Sequence, residues 1–268
     1  MNSTEIMGFA ASILIGVSLG LIGGGGSILT LPVLVYLLHI SPVISTAYSL
    51  FIVGTTSLVG SASFMKKKLV NYRAALVFAI PSFTTVFLTR KHLVPAIPDP
   101  LFNISGFEIS KNVGIMVFFA LIMLAASYSM IKSKKEEKEE NIGELKFNYP
   151  MIALEGALVG MLTGIVGAGG GFLIIPALVL FARLPMKMAV GTSLLIIAAK
   201  SLIGFLGDLS NIQVDWAFLL PFTALSVVGI FLGTYLSKFI SGEKLKKSFG
   251  WFVLVMGIYI ITKEVFFK

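Results

Sequence analysis

The sequence predicts an all-α polytopic membrane protein built from two inverted repeats, each a glycine-broken, re-entrant helical hairpin followed by three transmembrane helices. Three observations lead to this prediction. Of the 268 residues, 56% are hydrophobic and only 13% are charged, which excludes an ordinary soluble domain. Several apolar runs approach or exceed the roughly 20 residues that a helix needs to cross a bilayer. The chain also carries one pattern twice, and each copy has a run of glycines inside an apolar segment.

The two copies occupy residues 20–60 and 164–204, and an offset of 144 residues aligns them without a gap. Each copy passes from an apolar helix through a glycine cluster into a second helix with a proline, and then into a long helix that carries hydroxyl groups. The shared positions are Gly20 with Gly164, Gly23 with Gly167, Gly25 with Gly169, Gly26 with Gly170, Pro32 with Pro176, Ser49 with Ser193, Ser57 with Ser201 and Gly60 with Gly204. This arrangement is typical of transporters whose repeats each contain a broken helix.

Six continuous apolar stretches predict membrane-spanning helices, because helices and closed barrels alone satisfy their backbone groups in lipid. They cover about residues 43–65, 73–89, 112–131, 188–206, 215–237 and 248–262. Glycines interrupt two further stretches, 6–39 and 150–182. A helix over 6–39 would be roughly 50 Å long, too long for one span of about 30 Å and too short for two. Each interrupted stretch therefore either crosses once at a steep tilt or turns back as a hairpin.

The distribution of Lys and Arg favours hairpins, because short cytoplasmic loops are enriched in these residues. If both interrupted stretches cross once, 11 basic residues lie inside and 9 outside. If both are hairpins, the four cytoplasmic loops hold 15 and five basic residues lie outside. These loops are 66–73, 132–148, 183–187 and 238–247, and the outside residues are Arg90, Lys91, Lys111, Lys263 and Lys268. Each half then has three spans, so the halves face opposite ways and both termini lie outside.

The chain divides at a run of mixed charge. We expect a first transmembrane repeat over residues 1–131, a charged cytoplasmic linker over 132–148 and a second transmembrane repeat over 149–268. Residues 93–110 contain three prolines and are expected to form an external loop.

Composition excludes several classes of function. Cys is absent, which removes disulfides, thiol catalysis and cysteine-based metal sites. His39 and His92 are the only histidines, and neither has a partner at metal-ligand spacing. The net charge of +8 lies in loops, where it controls topology rather than binding nucleic acid. An intramembrane enzyme would be left with a pair such as Ser193 and Lys200, so we expect no enzyme, no metal centre and no cofactor.

The glycine runs are candidate sites for an anion. The second helix of each copy is expected to begin beside this run, at Ser27 and at Gly171. Such a helix start offers free backbone N–H groups and the positive end of its dipole. Two helix starts that converge from opposite repeats would hold one small anion near the midplane, and hydroxyl stripes on the following helices would add side chains. A purely structural unwinding or close helix packing is the alternative. The predicted substrate-binding residues are Gly23, Gly24, Gly25, Gly26, Ser27, Ser49, Thr56, Gly167, Gly169, Gly170, Gly171, Thr192, Ser193 and Lys200.

Lys200 is the sharpest single candidate, because an ionisable residue inside an apolar helix is a functional hypothesis by default. Its expected partner is a bound anion or a carboxylate, Asp208 or Glu155. Alternatively, it snorkels to the far interface near Asp208 and Asn211. The coupling ion stays open between H⁺ and Na⁺. Carboxylates are scarce in the membrane, and unwound carbonyls around the two glycine runs would suit Na⁺.

The doubled motif, GLIGGGGSILTLPVLV and GIVGAGGGFLIIPALV, resembles the TauE/SafE family of sulfite exporters and sulfonate permeases. The resemblance covers nearly the whole chain and implies a multi-pass carrier in the plasma (inner) membrane for sulfite, sulfonates or related organic anions. Members usually have seven or eight spans, whereas the charge pattern here favours six spans and two hairpins. An anion channel of the same architecture is the alternative function. The direction of transport and the oligomeric state stay open, and a homo-oligomer is compatible with the sequence.

Overall fold

The computed structural model describes residues 3–93, 96, 98, 102–104, 107–109, 111–132, 149–166, 171–209 and 212–266. Over these residues the chain consists of helices joined by short connections, with two three-residue strands, which confirms the predicted all-α class. The helices are α1 Ser3–Ile22, α2 Gly25–Pro32, α3 Pro42–Lys66, α4 Tyr72–Leu88, α5 Lys111–Lys132, α6 Tyr149–Val166, α7 Gly171–Pro176, α8 Met186–Asp208, α9 Trp216–Leu236 and α10 Gly242–Phe266. Single π-helical turns extend α2, α4 and α7, at Val33–Leu37, Thr89–Leu93 and Ala177–Phe181.

Four helices within the described ranges are long and apolar enough to cross a membrane. Their apolar segments are Ile44–Lys66, Met186–Leu206, Trp216–Leu236 and Glu243–Lys263. Shorter apolar segments lie in α1, α4, α5 and α6. Helix α8 is the most buried of the four: 61% of its apolar segment lies inside the protein, against 39% for the segment of α10.

Helices α1 and α2 form a hairpin. The chain leaves α1 at Gly23, and α2 packs back along α1. A Cβ atom at Gly26 would lie 2.7 Å from the carbonyl oxygen of Ile15, and one at Gly8 would lie 2.5 Å from Leu38 Cδ2. Because Leu38 lies beside Gly8, near the beginning of α1, the chain reverses at the break and does not continue as one bent helix.

The second copy has the same order of elements. Helix α6 packs against α7 and against the π-helical turn Ala177–Phe181, which lies 144 residues after the turn Val33–Leu37. The connection between α6 and α7 contains Gly167, Gly169 and Gly170, which lie outside the described residues. The predicted role of these three glycines therefore stays a prediction.

Helices at equivalent positions of the two copies pack against each other: α3 against α8, and α2 against α7. Helix α5 packs against α10, the last helix of the other half. In the α3–α8 and α5–α10 pairs the partners run antiparallel, because residues further along one helix face residues further back on the other. The contacts that fix these directions are Gly54 with Leu202, Gly204 with Leu50, Gly250 with Ile131 and Gly257 with Leu124.

Two parallel pairs cross between the copies: α1 packs along α9, and α6 packs along α4. Glycines bring their backbones together, since a Cβ atom at Gly16 would collide with the carbonyl oxygen of Ser226, and one at Gly160 with that of Ser82. These two contacts occupy equivalent positions, 144 residues apart.

A pair of equivalent hydrogen bonds ties the start of α4 to α8, and the start of α9 to α3. The backbone N–H of Asn71 donates to Thr192 Oγ1 at 3.0 Å, and the backbone N–H of Asp215 donates to Tyr48 Oη at 2.7 Å. The side chains of Asn71 and Asp215 also cap their own helices by accepting from backbone N–H groups. The duplication therefore extends to individual hydrogen bonds.

Removing either acceptor is expected to destabilise the protein. Tyr48→Phe and Thr192→Val each leave a backbone N–H without its partner, which should cost about 1–2 kcal/mol and lower the melting temperature in detergent. Thr192→Ser keeps the hydroxyl and is the matched control. Melting temperatures equal to wild type for both variants would show that these bonds do not hold the copies together.

The basic loops gather at one end of the helices. Burial, followed by the nearby ammonium groups of Lys238 and Lys187, lowers the pKa of Lys67. The connection after α3, the first turn of α8 and the connection after α9 are therefore neighbours. At the far end of α10 the ammonium group of Lys263 lies over the ring of Tyr36, in the turn that ends the first hairpin.

The predicted external loop contains a small antiparallel sheet that the sequence analysis did not foresee. Strands β1 Phe102–Ile104 and β2 Phe107–Ile109 pair with Phe102 opposite Ile109. Three-residue strands are too short to produce a recognisable alternation of apolar and polar residues.

Candidate functional site

The first break, the non-helical stretch between α1 and α2, contains only Gly23 and Gly24 and is therefore shorter than the run of four glycines predicted. The backbone N–H of Gly23 donates to the carbonyl oxygen of Leu19 at 2.7 Å and closes α1, and Gly24 is the N-cap of α2. Gly25 and Gly26 are already helical, so α2 begins two residues before Ser27, the expected start. The reason is packing: without side chains, the first turn of α2 can lie directly against α1.

Gly23 is the residue on which the break depends. Its φ of +78° lies in the left-handed region, which favours glycine. A Cβ atom there would lie 2.7 Å from Ser193 Oγ, 3.1 Å from Ile175 Cδ1 and 3.1 Å from Val190 Cα. The first break therefore packs against α8 and against α7.

The start of α2 has no side-chain cap. Gly24 has no side chain to accept from the first-turn N–H groups, and the backbone of Ser27 lies in that first turn. In the second copy α7 begins at Gly171, the predicted residue, which is buried. Helix starts of this kind suit an anion.

Lys200 lies two helical turns beyond Ser193 on the same face of α8. Its Nζ donates a hydrogen bond to Thr163 Oγ1 at 2.7 Å. Thr163 is in the last turn of α6, four residues before Gly167, and its own hydroxyl donates to the carbonyl oxygen of Gly160. One face of α8 therefore contacts the first break through Ser193 and the end of α6 through Lys200, roughly 10 Å apart along the helix.

Thr163 is the site residue that sequence reasoning missed. The position equivalent to Thr163 in the first copy is Leu19, so the repeat gives no signal there. A threonine one turn before a glycine run, inside an apolar helix, was the available clue.

Among the described hydroxyl groups predicted to line the site, some have hydrogen-bond partners within the protein and one buried hydroxyl does not. Thr192 holds the backbone of Asn71, and Ser193 donates to the carbonyl oxygen of Val190 in its own helix. Thr56 on α3, the residue equivalent to Lys200, is fully buried and its hydroxyl has no hydrogen-bond partner among the described residues. Ser49 is 9% exposed. An unpaired buried hydroxyl in a candidate site calls for a ligand or a water molecule.

The family of the chain follows from comparison with known proteins. A model described as "Sulfite exporter TauE/SafE" matches residues 8–260, which include both copies of the glycine motif and nearly the whole chain. The chain belongs to the TauE/SafE family. It is therefore a membrane transporter, in agreement with the resemblance of its doubled glycine motif.

Several relatives match over nearly their whole length, and each is called a probable membrane transporter protein. One from Xylella fastidiosa is 30% identical, with 94% of this chain and 92% of the relative covered. One from Bacillus subtilis is 26% identical over 97% of this chain and 100% of the relative. One from the archaeon Methanocaldococcus jannaschii is 26% identical over 96% and 93%.

Proposed function

We propose that this TauE/SafE protein is a secondary transporter in the plasma membrane that carries small sulfur-containing oxyanions by alternating access. The observation that carries the proposal is the Lys200–Thr163 pair, deep in α8 on the face that also contacts Gly23 at the first break. A cation inside an apolar helix is stabilised by an anion beside it, and a sulfonate or sulfite group offers several acceptor oxygens.

The packing of equivalent helices supports the inverted arrangement. A two-fold axis that exchanges α3 with α8 must lie perpendicular to them, because these helices run antiparallel. With the helices across the membrane, such an axis lies in the membrane plane, which is the condition for an inverted repeat. The two hairpins then enter from opposite faces, and rocking of the helices exposes the same anion to either side.

The clustered basic loops support the proposed orientation. The neighbours Lys67, Lys187 and Lys238 lie in or directly beside loops assigned to the cytoplasm, whereas Lys263 lies beside the end of the first hairpin, assigned to the outside. Because the chain has no Cys, single cysteines can report the side of the membrane. Lys238→Cys should react with an impermeant maleimide only in inside-out vesicles, and His39→Cys only in intact cells. Labelling of both cysteines from the same side would contradict the hairpin topology.

Thermal stabilisation tests the substrate class. Purified protein is heated with sulfite, thiosulfate, sulfoacetate, taurine or sulfate, with and without sodium. A ligand that binds the folded state at 100 times its Kd adds about 2.7 kcal/mol of stability. We expect at least one sulfur oxyanion to raise the melting temperature and chloride at equal ionic strength to have no effect. No stabilisation by any of these anions would refute the proposed substrate class.

An anion channel of the same architecture is distinguished by electrical recording from reconstituted protein. A carrier saturates with substrate and exchanges labelled for unlabelled anion, whereas a channel shows conductance without saturation at modest concentration.

A further inference from the structure

Besides Lys200 on α8, a second ionisable residue lies inside an apolar helix: Glu155 on α6. Its side chain is only 4% exposed, and neither carboxylate oxygen has a hydrogen-bond partner among the described residues. An ionised carboxylate without a partner is costly in an apolar site, whereas the protonated acid is tolerated.

Glu155 lies on the same buried stripe of α6 as Thr163. The stripe has helical spacing and consists of Ile152, Glu155, Val159 and Thr163, which are all less than 9% exposed. Glu155 is six residues from Tyr149, the first residue of α6, and therefore about 9 Å from the end that we assign to the cytoplasm. Thr163 lies eight residues, or about 12 Å, further along the helix.

The polar residues of this stripe occur in one copy only. The residues equivalent to Glu155 and Thr163 in the first copy are the apolar Ala11 and Leu19, and the residue equivalent to Lys200 on α8 is the uncharged Thr56. Helix packing alone would permit the same apolar residues in both halves, since the backbone contacts of the two copies are alike. The second hairpin therefore carries chemistry that the first does not.

The other titratable residues around Glu155 belong to the elements that pack against α6. The elements packed on α6 are α4, α5, α7 and the turns Thr89–Leu93 and Ala177–Phe181, and Lys200 reaches α6 from α8. The titratable residues of the packed elements occur near helix ends: Tyr72, Arg73, Arg90, Lys91, His92, Lys111, Tyr128 and Lys132. None of the described side chains among them forms a hydrogen bond with Glu155. Lys200 is the ionisable residue of α8 that contacts α6, through Thr163.

We propose that Glu155 is a proton-binding site coupled to anion binding at Lys200, so that a proton moves together with the anion. This inference rests on the proposed function and names its coupling ion. When Glu155 is ionised, its charge opposes an incoming anion. When it binds a proton, the positive charge of Lys200 is left for the anion. Two unit charges about 12 Å apart interact by roughly 1.4 kcal/mol at an effective dielectric constant of 20, or about tenfold in the Kd of the anion.

Infrared spectroscopy of the full-length protein in lipid tests proton binding without transport. The wild type should show the carbonyl-stretch band of a protonated carboxylic acid at neutral pH, and Glu155→Gln should lack it. Glu243→Gln is the matched control, because that carboxylate is solvent-accessible and pairs with Lys247. The same band in Glu155→Gln, or no such band in wild type, overturns the assignment of the proton to Glu155.

Reconstituted vesicles with an internal pH dye test the coupling. The probes are thiosulfate and methanesulfonate, whose charges do not change near neutral pH. A gradient of either anion directed into the vesicles should acidify the interior of wild-type vesicles. Glu155→Gln should abolish this acidification. The Kd of the wild type should also tighten about tenfold from alkaline to acidic pH, whereas the Kd of Glu155→Gln stays constant. Exchange of labelled anion without acidification in wild type would refute the coupling. Absence of exchange as well as of binding in wild type would refute the proposed function instead.

Discussion

Replacing Gly23 with alanine is expected to abolish transport and to lower the melting temperature. A left-handed backbone costs a residue with a Cβ atom roughly 1–2 kcal/mol. The added atom would also push against Ser193 Oγ and against the backbone of α8 at Val190. The first hairpin can relieve both contacts only by moving away from α8, which would separate the start of α2 from the face that carries Lys200.

Exchange of labelled thiosulfate or methanesulfonate in vesicles measures this effect, together with thermal denaturation of the purified variant. Gly204→Ala is the matched control, because a Cβ atom there has only the flexible end of Leu50 nearby, at 3.3 Å. The control should behave as wild type. Full exchange by Gly23→Ala would remove the first break from the mechanism.

Lys200→Met is expected to weaken anion binding by about 10- to 150-fold, because a hydrogen bond to a charged group contributes roughly 1.5–3 kcal/mol. The unliganded variant should be at least as stable as wild type, since methionine fills similar space without a buried charge. Thr163→Val should lower the stability of the unliganded protein, because it removes the hydroxyl that accepts a hydrogen bond from Lys200. Calorimetry with thiosulfate and thermal denaturation give the two readouts.

Lys247→Met is the control for Lys200→Met, because Lys247 is solvent-accessible and pairs with Glu243. It should leave the Kd unchanged. A Lys200→Met variant that binds anion as tightly as wild type, but melts at a lower temperature, would assign Lys200 to structure.

The sequence predicted much of the architecture because the physics involved is local. Apolar runs must be helices in lipid, and Gly23 with its neighbours must interrupt one of them. The extent of the break was not predictable in the same way. Gly25 and Gly26 are helical because α2 packs on α1, and packing between two segments leaves no mark in the composition of either one.

The side-chain contacts of the candidate site depend on how helices are rotated about their axes. The sequence identified Lys200 as an unusual residue, but its contact with Thr163 is set by the approach of α6 to α8. For Thr192 the sequence predicted a contact with substrate, whereas in the structure its hydroxyl accepts a hydrogen bond from the backbone N–H of Asn71. The burial of Glu155 likewise follows from the neighbours of α6 and not from the sequence around it.

The most direct test of the central claim is the position of a bound anion. Crystals soaked with selenite, the selenium analogue of sulfite, locate the anion by its anomalous scattering. We predict a selenium peak beside Lys200 Nζ, on the face of α8 that contacts Gly23. A peak confined to the basic loops around Lys67, Lys187 and Lys238, with none inside the helices, would contradict an anion site in the membrane.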